Sequence, residues 1–200
     1  MKALLAAIFM TFALSACDTS GVSRMSSSSV VILPPMQWDA QRPEAQANAW
    51  TRASLAALES HGATLARIVP EDIETWCPAY GEAPVQDRRA FWAGLFSALA
   101  KHESTWNPAA VGGGGRWIGL VQIAPATARN YGCQARSAEE LKDGAANLSC
   151  AIRIAARTVA RDGVVAAGGA GIAADWGPFH SAAKRREMAV WTSSQNYCQN

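Results

Sequence analysis

The stretch that decides the fold is residues 88–128, RRAFWAGLFSALAKHESTWNPAAVGGGGRWIGLVQIAPATA. At about 100° per residue, its first part predicts a helix with an apolar stripe that includes Trp92 and Phe96. Glu103 continues this stripe, because it falls within roughly 20° of both residues. Lys101 and His102 fall on other faces of this helix. The pattern therefore predicts a carboxyl at the end of a core-facing stripe.

A carboxyl in that position is predicted to hold its proton. Burial disfavours the charged form and raises the pKa, and the negative end of the helix dipole acts in the same direction. A carboxylic acid that stays protonated near neutral pH can serve as a general acid. The alternative is a structural glutamate that caps backbone groups or pairs with an arginine.

Three short motifs surround Glu103 in sequence order. They are ESTWNP (103–108), GLVQI (119–123) and PATA (125–128). Together they resemble the soluble lytic transglycosylase (SLT) family of the lysozyme superfamily, whose pattern is E-S-x-aromatic-N-P followed by G-L-M-Q-I-x-P-x-T-A. Val121 stands where the family usually has Met. A later pair, Asn-Leu at 147–148, resembles the Asn-Ile element of the family.

The resemblance extends over about residues 88–180 and implies a mostly α-helical, lysozyme-like (goose-type/SLT) domain. It also implies an enzyme that cleaves the β-1,4 bond between N-acetylmuramic acid (MurNAc) and N-acetylglucosamine (GlcNAc) of peptidoglycan, for cell-wall remodelling. Glu103 would protonate the glycosidic oxygen and then take the proton of the muramoyl 6-hydroxyl. The product would be a 1,6-anhydro sugar, because the intramolecular hydroxyl replaces water.

The same resemblance assigns roles to other residues. Ser104 would be a polar contact near the reacting sugar, and Gln122 would line the cleft. Gly119 would let its turn approach the catalytic helix. The family often has a tyrosine late in the domain, and this chain has Trp176 at the start of a Trp-Gly-Pro-Phe stretch instead. Trp176 is therefore the candidate substrate contact there.

Two other functions remain open at this point. A water-using muramidase on the same fold needs a second carboxylate to position water. Asp175 and the acids at 139, 140 and 143 are distant in sequence, and nothing in the sequence connects them to Glu103. The other alternative is a non-catalytic peptidoglycan-binding lipoprotein. A zinc protease is excluded, because the H-E-x-x-H pattern begun by His102 has Trp106 at its last position.

The N-terminus predicts export. Residues 1–16 contain one lysine followed by an apolar segment of signal-peptide length. Leu-Ser-Ala before Cys17 resembles a bacterial lipobox, which implies that Cys17 is lipidated and becomes the first mature residue. The alternative is an ordinary cleaved signal. We therefore expect a membrane-anchored lipoprotein in the periplasm of a Gram-negative bacterium, with the choice of inner or outer membrane left open.

Local composition and the positions of helix-breaking residues predict the domain organisation. Residues 17–39 are expected to be a lipid-anchored flexible tether, because they are rich in serine and contain a Pro-Pro pair. Residues 40–84 are expected to be an N-terminal helical addition, and residues 85–200 the lysozyme-like transglycosylase domain. Later helices are predicted over about 144–162 and 181–192.

The chain has five cysteines, and lipidation of Cys17 leaves four in an oxidising compartment. Four cysteines allow three pairings. We expect Cys133–Cys150, because these two flank one short capped segment, which leaves Cys77–Cys198 to join the N-terminal addition to the C-terminal tail. None of the cysteines has the spacing of a zinc site.

The overall charge excludes one class of partner. A formal net charge of +2 in 200 residues is too balanced to argue for nucleic acid. We expect no cofactor and no metal, peptidoglycan glycan strands as the partner, and a monomer. The basic run at 184–186 is predicted to be a solvated helix face, with a glycan or lipid-head site as the alternative.

Overall fold

The computed structural model describes residues 32–199. This part of the chain is mainly helical, with one two-stranded hairpin. The predicted class, a mostly α-helical lysozyme-like fold with N-terminal helices, is confirmed. The elements are α1 (Glu44–Glu59), α2 (Ala63–Arg67), α3 (Ile73–Trp76), α4 (Val85–Ser104), β1 (Val111–Gly112), β2 (Trp117–Ile118), α5 (Pro125–Asn130), α6 (Gly144–Asp162) and α7 (Ala182–Ser193). Short 3₁₀ helices cover Glu140–Lys142, Ala167–Gly169, Gly171–Ala174, Gly177–His180 and Asn196–Cys198.

The central helix of the fold is α4. It begins after Pro84, which cannot donate a backbone hydrogen bond and suits the entry to a helix. The sequence predicted one apolar stripe on this helix, but residues 90–100 are buried on every face. The reason is that α1, α2 and α7 all pack against α4, so that it has no solvent side over these turns. Outside these turns the helix approaches the surface at its start, where Val85 is 44% exposed, and in its last turn, with Glu103.

The N-terminal helices form a layer over the core. α1 packs against both α6 and α4. Trp38 is fully buried and donates its indole N–H to Thr51 Oγ1 of α1 at 3.1 Å, and its ring meets Trp50 edge-on. The tether predicted over 17–39 therefore ends earlier than expected, because residues 36–38 belong to the packed core.

Two disulfides join distant parts of the described chain. Cys77–Cys198 connects the segment after α3 to the C-terminal tail, and Cys133–Cys150 connects the segment after α5 to α6. These are the two pairings expected from the sequence. Closing a loop of more than a hundred residues removes more conformational entropy from the unfolded chain than closing a short one. The first disulfide therefore fixes the N-terminal layer to the end of the domain.

α6 lies behind the motif segments and begins where its sequence predicts. Asp143 caps it by accepting from the backbone N–H of Ala146 at 2.9 Å, and Gly163 ends it in the left-handed conformation. Just upstream, Ser137 and Glu140 bond reciprocally as a capping box. These caps fix the first turns of α6, and Asn147 is on that part of the helix.

Within residues 32–199 no helix is long and apolar enough to cross a bilayer, and no cluster of three His, Cys, Asp or Glu side chains is arranged around a metal-sized site. The predicted signal (1–16) and Cys17 lie outside the described residues.

Candidate active site

Glu103 lies at the rim of a cleft, one residue before the end of α4. Burial raises the pKa of its carboxyl from the ordinary 4.5 to about 7, and the positive charge of Lys184 opposes part of this rise. Among the described residues no arginine pairs with it, so the alternative of a structural ion pair does not hold. A carboxyl with a pKa near 7 is well suited both to donate and to accept a proton at neutral pH.

The turn after Glu103 is held in a strained conformation. Thr105 and Trp106 both have positive φ, 52° and 56°, which side-chain-bearing residues rarely adopt. Trp106 is nearly buried, and its indole N–H donates to the carbonyl of Ser97 at 2.8 Å. Within residues 32–199 the third residue other than glycine that has a positive φ is Gln122. All three belong to the motif segments, which is where strain maintained for function is expected.

The second motif segment forms a small hairpin and turn over the cleft. β1 pairs with β2 across the glycine loop, and Ile118 then bridges to Ile123. Gln122 sits at the tip of this turn, and its side-chain amide donates to the carbonyl of Gly119 at 2.9 Å. The side-chain amide oxygen of Gln122 lies so close to Gly112 that a β-carbon at position 112 would overlap it. The glycine loop therefore makes room for Gln122, which lines the cleft as predicted.

Asn147 of α6 holds this turn in place. It is fully buried and accepts from the backbone N–H of Val121 at 3.0 Å. Its amide N–H₂ donates to the carbonyls of Ile118 and Leu141, each at 3.0 Å. One side chain thus contacts three backbone groups, and it satisfies the Val121 N–H and the Leu141 carbonyl; the Ile118 carbonyl also accepts from the backbone N–H of Ile123 at 2.9 Å.

The cleft has a volume of about 390 Å³. Its walls come from the end of α4, from the hairpin and from the segment that leads into α7. The lining residues are His102, Glu103, Trp117, Gln122, Asp175, Trp176, Gly177, Pro178, Ser181 and Lys184. A site of this size and mixed polarity fits a sugar unit with its substituents.

Three predicted site residues have roles other than those expected. The Ser104 hydroxyl donates to the carbonyl of Leu120 at 2.7 Å, so it joins α4 to the hairpin turn and does not line the cleft. Gly119 makes its close approach to Asn147, behind the turn, and not to the catalytic helix. Trp176 lines the cleft but is only 3% exposed, because its indole N–H donates to the carbonyl of Val121 at 2.8 Å.

Seven cleft residues were not among the sequence candidates, and four of them carry an aromatic ring or an ionisable group. Trp117 is 44% exposed and offers a ring face, with the Arg116 guanidinium 5.5 Å from the ring centre. Asp175 shares the cleft with Glu103, which corrects the expectation that nothing connects them. Lys184 and His102 complete the set. The exposed Trp after a glycine loop was a usable sequence signal; the others depend on which helix faces meet.

His102 lies in the wall of the cleft and not on an unrelated face. Its side chain is 10% exposed, and its Nε2 is 3.7 Å from Glu187 Oε2 without a hydrogen-bond partner. Burial lowers the pKa of the imidazole, and the Glu187 carboxylate opposes that effect. His102 is therefore neutral at pH 7, which leaves the acid of the cleft beside an uncharged neighbour.

A larger groove, of about 700 Å³, lies between α3, α7 and the segment 166–169. Its only carboxylate, Asp72, accepts three backbone N–H groups, from Val165, Ala166 and Ala167. That carboxylate is occupied in fixing the loop after α6. The carboxyl whose pKa suits a general acid, that of Glu103, lies in the smaller cleft.

A known protein family matches the part of the chain that supplies most of the cleft residues. Residues 84–178 match the family described as the Transglycosylase SLT domain. These residues are therefore similar to an SLT domain. The match includes Glu103, the hairpin turn, Asn147 and the start of the segment leading into α7, and it ends before Lys184. No curated protein matches the chain.

Solved structures support the SLT assignment over a longer stretch. Two glutamate-to-glutamine mutants of Bd0314 DslA each match with a TM-score of 0.73 and 28% identity, over 82% of this chain and 97% of that chain. Wild-type DslA matches with a TM-score of 0.69 and 26% identity, over 82% and 98%. The SLT domain and its N-terminal helices thus have the lytic-transglycosylase-like fold of peptidoglycan-active proteins.

Proposed function

We propose that this protein is a peptidoglycan lytic transglycosylase, with Glu103 as the catalytic acid and base. The observation that carries the proposal is the Glu103 carboxyl at the end of α4, whose pKa burial raises to about 7 and which lines a cleft of sugar size. The SLT match supports the substrate class, glycan strands of MurNAc and GlcNAc, and cell-wall remodelling as the process.

The reaction balances without water. The protonated Glu103 donates its proton to the glycosidic oxygen, and the bond between that oxygen and C1 of MurNAc breaks. The Glu103 carboxylate then accepts the proton of the muramoyl 6-hydroxyl, while the oxygen of that hydroxyl bonds to C1. The products are a 1,6-anhydro-MurNAc end and a GlcNAc end with a free 4-hydroxyl, and Glu103 is again protonated.

A water-using muramidase is the second candidate, because Asp175 lines the same cleft. Burial raises the pKa of both carboxyls, but their charged neighbours differ: Lys184 lowers the pKa of Glu103, whereas Arg161 lowers and Asp162 raises the pKa of Asp175. This separation favours Glu103 working alone. An inverting hydrolase would instead need Asp175 to activate a water molecule on the far side of the sugar.

The products of purified peptidoglycan, digested in water labelled with heavy oxygen and analysed by mass spectrometry, distinguish the candidates. We expect anhydro ends without label; labelled reducing ends would identify a hydrolase. Asp175→Asn should retain anhydro products, and Glu103→Gln should release none. Glu139→Gln is the control, because Glu139 is exposed and pairs only with Lys142. A binding protein without activity would release nothing from the unmodified chain.

We also propose that the enzyme acts in the periplasm, attached to a membrane by lipid on Cys17. The lipobox-like sequence before that cysteine supports this location. A lipid anchor would restrict the SLT domain to glycan strands within reach of the membrane.

A further inference from the structure

The three residues of the basic run of α7 are all exposed, as the sequence predicted, but they line two different cavities. Arg185 donates from Nη1 to the carbonyl of Phe179 at 2.7 Å. Arg186 lines the larger groove. Lys184 alone of the three lines the cleft that contains Glu103.

The Lys184 ammonium has no ion-pair partner among the described residues. Glu187, three residues further along α7, would be its natural partner, but Glu187 bonds to Lys101 and faces His102. The local arrangement therefore leaves a cation free at the cleft.

The other charges around the cleft do not cancel that cation. Glu103 carries its proton in a large part of the molecules at neutral pH, and His102 is neutral. Asp175 lies on the same cleft, where burial raises the pKa of its carboxyl and Arg161 opposes part of that rise. A ligand that enters the cleft thus meets one unpaired positive charge close to the catalytic acid.

We propose that Lys184 is a specificity-determining residue that binds a carboxylate of the substrate. This rests on the proposed function, because that function supplies a ligand of suitable chemistry. MurNAc carries a lactyl ether on the same ring that reacts at C1. Its carboxylate is free in glycan stripped of peptide, and in peptide-bearing glycan the carboxylates of the peptide take its place. Either one would give a charge-assisted hydrogen bond to the ammonium.

Binding of a carboxylate would also act on Glu103. Lys184 now holds the pKa of Glu103 below the value that burial alone would give. A bound carboxylate offsets the Lys184 charge, so the pKa of Glu103 rises and the acid keeps its proton to higher pH. The groups facing Glu103 in this balance are His102 on its own helix, Lys184 and Glu187 on α7, and Asp175 across the cleft.

The test measures binding in the Glu103→Gln background, where no turnover interferes. The probes are soluble glycan fragments with a free lactyl carboxylate, with that carboxylate converted to an amide, and with peptide attached. We expect Lys184→Met to weaken binding of the free-carboxylate fragment, the peptide-bearing fragment or both by about fivefold, and to leave the amide fragment unchanged. The fragment that is affected identifies the source of the carboxylate. Arg186→Met is the matched control, since it removes the same charge from the same helix on the groove side.

Equal weakening for all three probes, or no weakening, would overturn the proposal. Selective weakening would uphold it even if the unmodified chain released no products, so its failure is distinct from that of the proposed function. A second readout uses the active enzyme: the decline of activity at high pH should move to higher pH in Lys184→Met when the amide substrate is used. A pH shift without carboxylate selectivity would show an effect on Glu103 alone and would reject the binding role.

Discussion

Gly119 fits so closely against Asn147 that a β-carbon at position 119 would overlap the side-chain amide of Asn147. The φ of Gly119, +85°, is also one that other residues rarely adopt. This contact positions the turn that presents Gln122 to the cleft. Gly119 and Asn147, which are distant in sequence, therefore pack together behind the cleft and hold this turn in place.

Replacing Asn147 by Leu should destabilise the protein strongly. The change keeps the approximate volume but leaves the buried N–H of Val121 and carbonyl of Leu141 without a partner, and it removes one of the two hydrogen bonds to the Ile118 carbonyl. We expect a loss of about 3 kcal/mol in the free energy of unfolding, measured by urea denaturation. Asn130→Leu, an exposed position, is the control. A loss no larger than that of the control would mean that the amide does not hold the turn.

Replacing Ser104 by Ala should reduce activity less than Glu103→Gln does. The serine holds the carbonyl of Leu120 and supplies no proton to the substrate. We expect about 1 kcal/mol less stability and a partial loss of turnover. Ser104→Thr, which keeps the hydroxyl, should restore most of both, and Ser193→Ala provides a control at another helix end. Complete inactivity of a stably folded Ser104→Ala variant would instead indicate direct participation in the chemistry.

The pH dependence of activity and stability should both follow Glu103. Its acid form is lost as pH rises through about 7, so cleavage should decline there. Because the folded pKa lies above the ordinary 4.5, the stabilising contribution of the protonated carboxyl is fully present below 4.5 and is lost as pH rises through about 7. Glu103→Gln should therefore gain stability relative to the unmodified chain over this window. Urea denaturation at several pH values measures the difference, and a difference that does not change with pH would contradict the shifted pKa.

Trp117 should contribute to glycan binding. Its ring is 44% exposed at the cleft and can stack on the apolar face of a sugar. We expect Trp117→Ala to weaken binding of glycan fragments about fivefold with little change in melting temperature, and Trp117→Phe to retain most of the affinity. The control is Val69→Ala, because Val69 is likewise exposed, at 54%, but does not line the cleft. Unchanged affinity for Trp117→Ala would remove the residue from the substrate site.

Replacing Cys17 by Ser should release the protein from membranes if the cysteine carries lipid. The physical reason is that serine has no thiol to which the lipid could be attached. Cell fractionation followed by blotting measures the distribution, with Ser20→Ala as a control that leaves the lipobox unchanged. Continued membrane association of the Cys17→Ser variant would argue against the lipid tether.

The sequence by itself determined the helical class, the position of Glu103 and the direction of its pKa. These are local properties: the 3.6-residue period sets which side chains share a face, and the motif letters are adjacent in the chain. The expected cysteine pairs also agree with the structure, since few pairings were available.

Only the tertiary structure decided which groups meet Glu103. Periodicity cannot tell which faces of α4 and α7 pack together, so Lys184 and Asp175 could not be connected to the cleft in advance. It also cannot tell whether a hydroxyl such as that of Ser104 faces a ligand or a neighbouring carbonyl, because buried backbone groups compete for the same hydrogen bonds. The raised pKa of Glu103 therefore follows from the local sequence, whereas the charges around this carboxyl arise from long-range packing.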